Sequence, residues 1–353
     1  MSILFAILIF SFLIFIHEFG HFITAKLSGI QVNEFSMFMG PAIWKKQKGE
    51  TLYSVRCIPI GGYCAMEGED GDSENPRAFG KAAWWKRLIV LVAGAGMNFL
   101  AGFLIVLILN CTVSVAVPQV GFLRTGSTMA ADGGLMVGDT VLQMNGQKVT
   151  STVDFSEILD ADPDVTEYDI LVLRNGEKLL LENVVMEPQE FPANEEGEAG
   201  TFYGVTWVTR HMTALEAVEA AWADCVYFIK FVWLSLGMLI SGDVGLGDMS
   251  SPVGIVQQMG QIAGASANWV VALQNLLYFG AFIAVNLAVM NLLPIPALDG
   301  GRVVSLLLTT AIEKITKKKL DPKYEGYVHA AGMVLLLGLM AVIMLKDIIY
   351  IFK

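Results

Sequence analysis

The chain has 353 residues and a formal net charge of −11, and 54% of its residues are apolar whereas only 16% are charged. About a quarter of the residues of a soluble domain are charged, so this composition excludes a wholly soluble protein. It predicts a polytopic α-helical membrane protein with room for one modest soluble domain, and no nucleic-acid partner. The four cysteines form no CxxC pair and no zinc-finger spacing, so we interpret them as reduced side chains.

Four apolar stretches approach or exceed the roughly 20 residues that a helix needs to cross a bilayer. The first lacks a basic leader and a small-residue cleavage site, so we interpret it as a membrane helix rather than a signal peptide. The predicted elements are, in chain order, transmembrane helix 1 at 1–25, a cytoplasmic loop at 26–87 with a membrane-associated β-hairpin at 51–66, transmembrane helix 2 at 88–112, an extracytoplasmic β-rich domain at 115–190, a linker and membrane-surface helical segment at 191–268, transmembrane helix 3 at 269–300, a cytoplasmic loop at 301–327 and transmembrane helix 4 at 328–353.

The distribution of charge predicts which segments face the cytoplasm. Residues 26–87 carry nine Lys+Arg and residues 300–326 carry six, whereas residues 111–224 carry five Lys+Arg against nineteen Asp+Glu. Because basic loops stay inside, the two basic segments are predicted to be cytoplasmic and the acidic segment to be extracytoplasmic.

Turn signals predict that the acidic segment is a small β-rich domain. Asn145-Gly146 and Asn175-Gly176 each follow a short β-type run, and Asn-Gly between such runs is a strong signal for a tight turn. The Glu/Gly-rich stretch 193–200 is predicted to be a linker or a long loop.

Helix 1 contains the sequence His17-Glu18-Phe19-Gly20-His21 toward its C-terminal end. Histidines at i and i+4 project from the same helix face, so both imidazoles can bind one Zn²⁺ and leave a position open for water. Glu18 stands beside the first histidine, where it can act as the general base. Polar groups at membrane depth are costly unless they are paired or functional, which favours a metal site. The alternative is that these are ordinary polar residues at a helix end.

Zinc hydrolases usually use three protein ligands, and Asp299 is the best candidate for the third. It follows two prolines, Pro294 and Pro296, that break helix 3, and it precedes Gly300-Gly301. The alternative is a cytoplasmic cap of helix 3. For the three ligands to meet, helices 1 and 3 must be parallel, and they are parallel only if residues 225–240 do not cross the bilayer. We therefore predict that this segment lies along or dips into the outer surface, and that Gly242–Gly247 turns the chain into helix 3.

These motifs resemble the site-2 protease family of intramembrane zinc metalloproteases, of the type of the bacterial regulator of sigma-E protease. HExxH occurs at 17–21, and the family's NxxPxxxLDG occurs as Asn291, Pro294 and Leu298-Asp299-Gly300. Gly61-Gly62-Tyr63 resembles the family's GGY segment, and Gly94 with Asn98 resembles its GxxxN element. The resemblance implies a Zn²⁺-dependent endopeptidase in the bacterial cytoplasmic membrane, with its active site toward the cytoplasm. The implied substrates are pre-trimmed single-pass membrane proteins, such as anti-sigma factors or remnant signal peptides, cut in regulated intramembrane proteolysis.

The outer domain resembles a single PDZ domain, whereas the regulator of sigma-E protease has two. Its Gly134-Leu135-x-x-Gly138-Asp139 segment has the PDZ spacing, and Val120-Gly121-Phe122 is expected to form the peptide-binding loop. This domain is expected either to bind a freshly exposed carboxyl terminus or to exclude bulky ectodomains by size.

Several residues are expected to bind the substrate. The hairpin with Gly61, Gly62 and Tyr63 can pair with an unwound substrate strand, and the alternative is a cytoplasmic turn packed on the helices. Asn291 and Asn286 can hold the substrate backbone or the developing oxyanion, although Asn286 fits interhelical hydrogen bonding at least as well. Asn98 is expected to be a helix-packing residue.

Two other functions remain open from the sequence. One is a membrane-anchored zinc protease with a cytoplasmic catalytic domain, but no soluble segment of that size contains HExxH. The other is a PDZ-bearing membrane scaffold or a transporter with a non-catalytic metal site. Broken helices and buried carboxylates do occur in transporters, but the paired halves of an inverted repeat are not evident.

Overall fold

The computed structural model describes residues 2–351 except 70, 72, 113, 132, 162–164, 193–198, 246–250 and 318–321. The chain forms two compact units. The first comprises Met1–Leu109 and Val218–Lys353, and the second comprises Asn110–Ala217.

The first unit is mainly helical. Its helices are α1 (Ser2–Leu27), α2 (Trp84–Thr112), α4 (Ala214–Ser241), α5 (Pro252–Ala265), α6 (Trp269–Asn291), α7 (Asp299–Thr316) and α8 (Pro322–Ile351), where α3 belongs to the second unit. In the described residues, five helices are long and apolar enough to cross a membrane, by length and composition: α1, α2, α4, α6 and α8. The predicted count of four is therefore not confirmed, because α4 extends the apolar stretch at 225–240 toward its N-terminus to 28 residues.

Side-chain contacts give the directions of the helices around α1. Ile9 lies against Gly280 of α6, and the His17 ring approaches the Asn291 amide at the end of the same helix, so α1 and α6 run in the same direction. The Lys86 ammonium donates to Ser28 O at 2.9 Å, while Asn98, later in α2, approaches His17, earlier in α1, so α2 runs in the opposite direction. The parallel arrangement that a shared metal site requires is therefore present.

A bent sheet packs on α1. Its strands are β1 (Val32–Lys48) and β2 (Thr51–Met66). Residues 34–37 pair with 62–65 on one edge and with 52–55 on the other. The predicted hairpin at 51–66 is therefore wrong in detail, because the two halves of β2 do not pair with each other. The reason is packing: Phe35 brings β1 between them and contacts Phe15 and Phe22 of α1, with ring centroids 5.9 and 4.9 Å apart.

The second unit is a β-rich domain with its own hydrophobic core. Its elements are β3 (Ser114–Leu123), β4 (Thr140–Met144), β5 (Gln147–Lys148), α3 (Thr152–Ala161), β6 (Glu167–Arg174), β7 (Glu177–Val185), β8 (Gln189–Phe191), β9 (Gly200–Phe202) and β10 (Val205–His211). The main sheet has the order β10-β3-β4-β6-β7, with β5 paired to β4, and β8 pairs with β9. Fully buried Val120, Met144 and Ile170 belong to the core.

The structure extends this unit and changes one prediction within it. Strands β9 and β10 lie beyond the predicted end at residue 190, and β10 joins the main sheet beside β3. Val120 and Phe122 pair with Trp207 and Thr206 of β10, and the Val120 N–H also donates to Asp139 O. The segment 120–122 is thus strand interior rather than an open peptide-binding loop. Part of the predicted linker, 193–198, and residues 246–247 of the glycine-rich turn lie outside the described residues.

Candidate metal centre and active site

Three predicted ligands meet at one point. Nε2 of His17 lies 3.2 Å from Nε2 of His21. Oδ2 of Asp299 lies 3.2 Å from the first of these atoms and 3.5 Å from the second. Among the described residues, this trio is the group of His, Cys, Asp and Glu side chains that could hold a metal ion.

The spacing fits zinc. Ligand atoms placed tetrahedrally at about 2.0–2.1 Å from zinc are about 3.3 Å apart, close to the three distances observed. Oδ2 of Asp299 is buried and has no hydrogen bond of good geometry, although Nε2 of each histidine lies within 3.5 Å of it. A buried carboxylate oxygen without a partner is costly, and a cation bound among the three atoms would compensate it.

Local structure explains how each ligand is presented. One turn of α1 separates the two histidines, which places their rings on one face with centroids 4.8 Å apart. Nδ1 of His21 donates to the Val90 carbonyl of α2 at 2.8 Å. Because a carbonyl can only accept, Nδ1 of His21 carries the hydrogen and Nε2 presents its lone pair to the metal position.

Asp299 is presented by the loop that joins α6 to α7. Ala297 in this loop has φ +80°, a conformation that non-glycine residues rarely adopt. Its N–H donates to Nδ1 of His329 in α8 at 3.0 Å, which stabilises the turn. Gly300 and Gly301 are buried against the carbonyl groups of residues 292, 293 and 295, so side chains there would displace the first turn of α7.

Glu18 lines a cavity of about 140 Å³ next to this centre. Its carboxylate accepts a hydrogen bond from the backbone of Cys64 in β2. A Cβ at Gly62 would lie 3.2 Å from Cγ of Glu18, so this glycine lets β2 approach the general-base candidate. The complete lining is Leu13, Ile14, His17, Glu18, Gly61, Gly62, Asn98, Leu287 and Asn291.

The structure separates the predicted substrate residues. Gly61, Gly62 and Asn291 line the cavity, whereas Asn286 and Tyr63 do not. Tyr63 instead lies under the Arg56 guanidinium, 5.3 Å from its ring centroid. The ring of Tyr63 therefore packs on a neighbouring charge of the sheet rather than on the cavity.

Two residues of α2, Gly94 and Asn98, lie directly against the histidine rings of this centre. Nδ2 of Asn98 lies 3.4 Å from Nδ1 of His17, and Asn98 is only 1% exposed. A Cβ at Gly94 would collide with both imidazoles, so only glycine lets α2 pass this close to the two histidines. The sequence does contain a signal for this arrangement. A small residue, Gly94, and a polar residue, Asn98, stand four positions apart in an otherwise apolar helix, which places them on one face.

A protein-family model and several known proteins match most of the chain. The model of Peptidase family M50 matches residues 5–339. The chain is 36% identical over 355 residues to a candidate zinc metalloprotease of Clostridium acetobutylicum, covering 99% of this chain and 98% of the relative. It is 32% identical over 353 residues to a candidate zinc metalloprotease of Fusobacterium nucleatum, covering 99% and 98%. It is 28% identical over 425 residues to the regulator of sigma-W protease RasP of Bacillus subtilis, covering 97% of each.

Proposed function

This chain belongs to peptidase family M50, the site-2 proteases, and is an integral membrane zinc metalloendopeptidase, and we propose that it cuts the transmembrane segments of single-pass membrane proteins. The observation that carries this proposal is the meeting of His17, His21 and Asp299 beside the cavity that Glu18 lines. The identity of these four residues as the catalytic set is part of the proposal.

In this proposal each side chain has a distinct task. His17, His21 and Asp299 hold the zinc ion, which when bound lowers the pKa of water and polarises a carbonyl oxygen. Glu18 takes a proton from a water molecule in the cavity and returns it to the leaving amine. The Asn291 amide, 3.5 Å from the His17 ring, is close enough to donate to a substrate carbonyl at the same centre.

A peptide bond in a helix is shielded by the helix's own hydrogen bonds, so the substrate must unwind before it is cut. We assign the binding of the unwound substrate segment to the part of β2 at Gly61–Gly62. Residues 62–65 pair with β1 along one edge, and Gly61 and Gly62 line the cavity beside Glu18. An extended segment added near these glycines would pass directly by the general base.

The finer substrate class is inferred from the family. We assign as substrates pre-trimmed membrane proteins of the anti-sigma-factor or remnant-signal-peptide class, and the name of the Bacillus subtilis relative, a regulator of a sigma factor, supports this choice. The charge distribution supports an active site toward the cytoplasm and an extracytoplasmic second unit in a bacterial cytoplasmic membrane. The PDZ-like character of that unit remains part of the proposal.

The same proposal assigns α4 no net crossing of the membrane. If α1 and α2 each cross the membrane once, α2 ends on the side where α1 began. Because α6 runs parallel to α1, α6 also starts on that side. Residues 214–268 must then begin and end on that one side. Either α4 lies at the surface or the chain between α4 and α6 crosses back.

The test is Glu18→Gln in full-length protein with a model single-pass substrate. Cleavage should fall at least about a hundredfold, because the amide cannot accept the proton, while zinc measured by metal analysis stays near one per chain. Glu182→Gln, on the exposed surface of β7, is the control and should cleave normally. Normal cleavage by Glu18→Gln would refute the assigned role, and Asp299→Asn with undiminished zinc would refute the ligand set.

A further inference from the structure

The helix that begins with Asp299 has a second face that the catalytic site does not use. The apolar side chains of this face recur at helical spacing and are exposed: Val304 38%, Leu307 44%, Leu308 58%, Ile312 41% and Ile315 81%. Leu306 is 5% exposed and lies on the opposite side, because positions two apart in a helix point about 200° apart. α7 thus packs on the protein through Leu306 and turns an apolar stripe away from it.

The length and position of α7 indicate that it lies along a membrane surface. Its 18 residues extend about 27 Å. It connects α6 to α8, and the apolar windows of those helices, Trp269–Asn291 and Gly326–Asp347, are each long enough to cross a bilayer. A connector between two consecutive spans begins and ends on one side of the membrane. An amphipathic helix in that position places its apolar face in the boundary between headgroups and acyl chains.

Charge identifies the chemistry of the surface. Residues 300–326 contain six Lys+Arg against three Asp+Glu. Lys314 and Lys317 are exposed near the end of α7, and Lys318 and Lys319 follow them in the sequence. Basic residues beside an apolar stripe are complementary to anionic lipid headgroups.

We infer that α7 is an interfacial helix whose stripe from Val304 to Ile315 inserts among acyl chains while Lys314 and Lys317 bind anionic lipid headgroups. The inference does not depend on the proposed function. Because Asp299 is the first residue of α7, the lipid surface would hold this carboxylate at a fixed depth.

The experiment compares two adjacent positions on the helix. Ile315→Cys and Thr316→Cys are each labelled with an environment-sensitive fluorophore in full-length protein, with the exposed Cys57 and Cys111 replaced by serine. Ile315 is in the stripe and Thr316 is outside it, about 100° further round the helix. In vesicles of phosphatidylcholine with about 30% phosphatidylglycerol, nitroxides on acyl chains should quench the Ile315 probe at least about threefold more than the Thr316 probe.

The charge requirement is tested with paired substitutions. Lys314→Gln with Lys317→Gln should lower the quenching of the Ile315 probe to the level seen in pure phosphatidylcholine vesicles. The control, Lys148→Gln with Lys178→Gln in the second unit, should leave it unchanged. Equal quenching at 315 and 316, or protection of the Ile315 probe from both lipid and aqueous quenchers as in a protein interface, would overturn the inference. Equal quenching of the Ile315 probe in neutral and anionic vesicles would do so as well.

Discussion

Two side-chain amides approach Nδ1 of His17, those of Asn98 at 3.4 Å and Asn291 at 3.5 Å. Oδ1 of Asn98 is buried without a hydrogen-bond partner. Rotating this amide by half a turn would place its oxygen at Nδ1, and the nitrogen and oxygen of an amide are assigned only from such networks. The oxygen would then accept from Nδ1–H of His17, so that Nε2 keeps its lone pair for the metal, as it does at His21.

This arrangement predicts that Asn98 strengthens zinc binding without touching the metal. Asn98→Ala should weaken zinc affinity about 10- to 100-fold, the usual effect of losing the outer partner of a ligating histidine. Asn98→Asp should retain most of the affinity, because a carboxylate also accepts from Nδ1. Chelator competition measures both values, with Asn286→Ala as the control. Wild-type affinity in Asn98→Ala would contradict the prediction.

At the scale of elements, an ion pair with a buried carboxylate links two segments of the second unit. Asp139 is 1% exposed and its Oδ2 accepts from Arg174 at 2.7 Å and from the Met136 N–H at 2.8 Å. Burial opposes ionisation, but these hydrogen bonds outweigh it and hold the pKa of Asp139 below its usual range. The pair joins the loop before β4 to the end of β6.

A lowered pKa in the folded state makes this stability depend on pH. The ionised Asp139 carboxylate contributes fully to the stability of the unit above the pKa that Asp has in the unfolded chain, about 3.9. This contribution is lost as the pH falls through the lower pKa of Asp139 in the folded state. Asp139→Asn should destabilise the unit at pH 7 by about 2–4 kcal/mol, because Arg174 loses its buried partner, and should remove this acid dependence. Hydrogen exchange of residues 114–211 in the full-length protein measures both effects. Unchanged protection at pH 7 would show that the pair contributes nothing.

The elements that the sequence predicted correctly are those whose signals are local. The apolar length of α1 and the spacing of His17 and His21 depend on one helix, and Asn145-Gly146 and Asn175-Gly176 do lie in turns that follow strands. The insertion of residues 34–37 between the halves of β2 and the pairing of β10 with β3 depend on contacts between distant segments. Periodicity does not specify which distant strand is the partner, so the hairpin and the end of the second unit were misplaced. The approach of Asn98 to His17 is likewise a contact between α1 and α2, which the pattern of either helix alone does not specify.

At the scale of the whole molecule, the second unit can be removed in a defined way. Ser114 of β3 pairs with His211 of β10. The chain therefore enters and leaves the second unit at neighbouring positions on two paired strands. Replacing 115–210 with a short Gly-Ser linker should leave the first unit folded, because that unit has cores of its own.

This deletion distinguishes the two proposed roles of the unit. If the unit excludes bulky ectodomains, the deletion variant should cut untrimmed substrate that the full-length protein leaves intact. If the unit binds a freshly exposed carboxyl terminus, cleavage of trimmed substrate should fall instead. Gel analysis of both substrates measures the outcome, and zinc content serves as the control for folding. Unchanged cleavage of both substrates would contradict both roles.

An ion pair between Arg302 and Glu69 joins the first turn of α7 to the segment that follows β2. Arg302 lies three residues after Asp299, and Glu69 lies three residues after Met66, the last residue of β2. A ligand that shifts β2 relative to α7 is therefore expected to move both the Gly61–Gly62 segment of β2 and the Asp299 carboxylate. Thermodynamic reciprocity then applies: the factor by which such a ligand changes zinc affinity equals the factor by which zinc changes the affinity for that ligand.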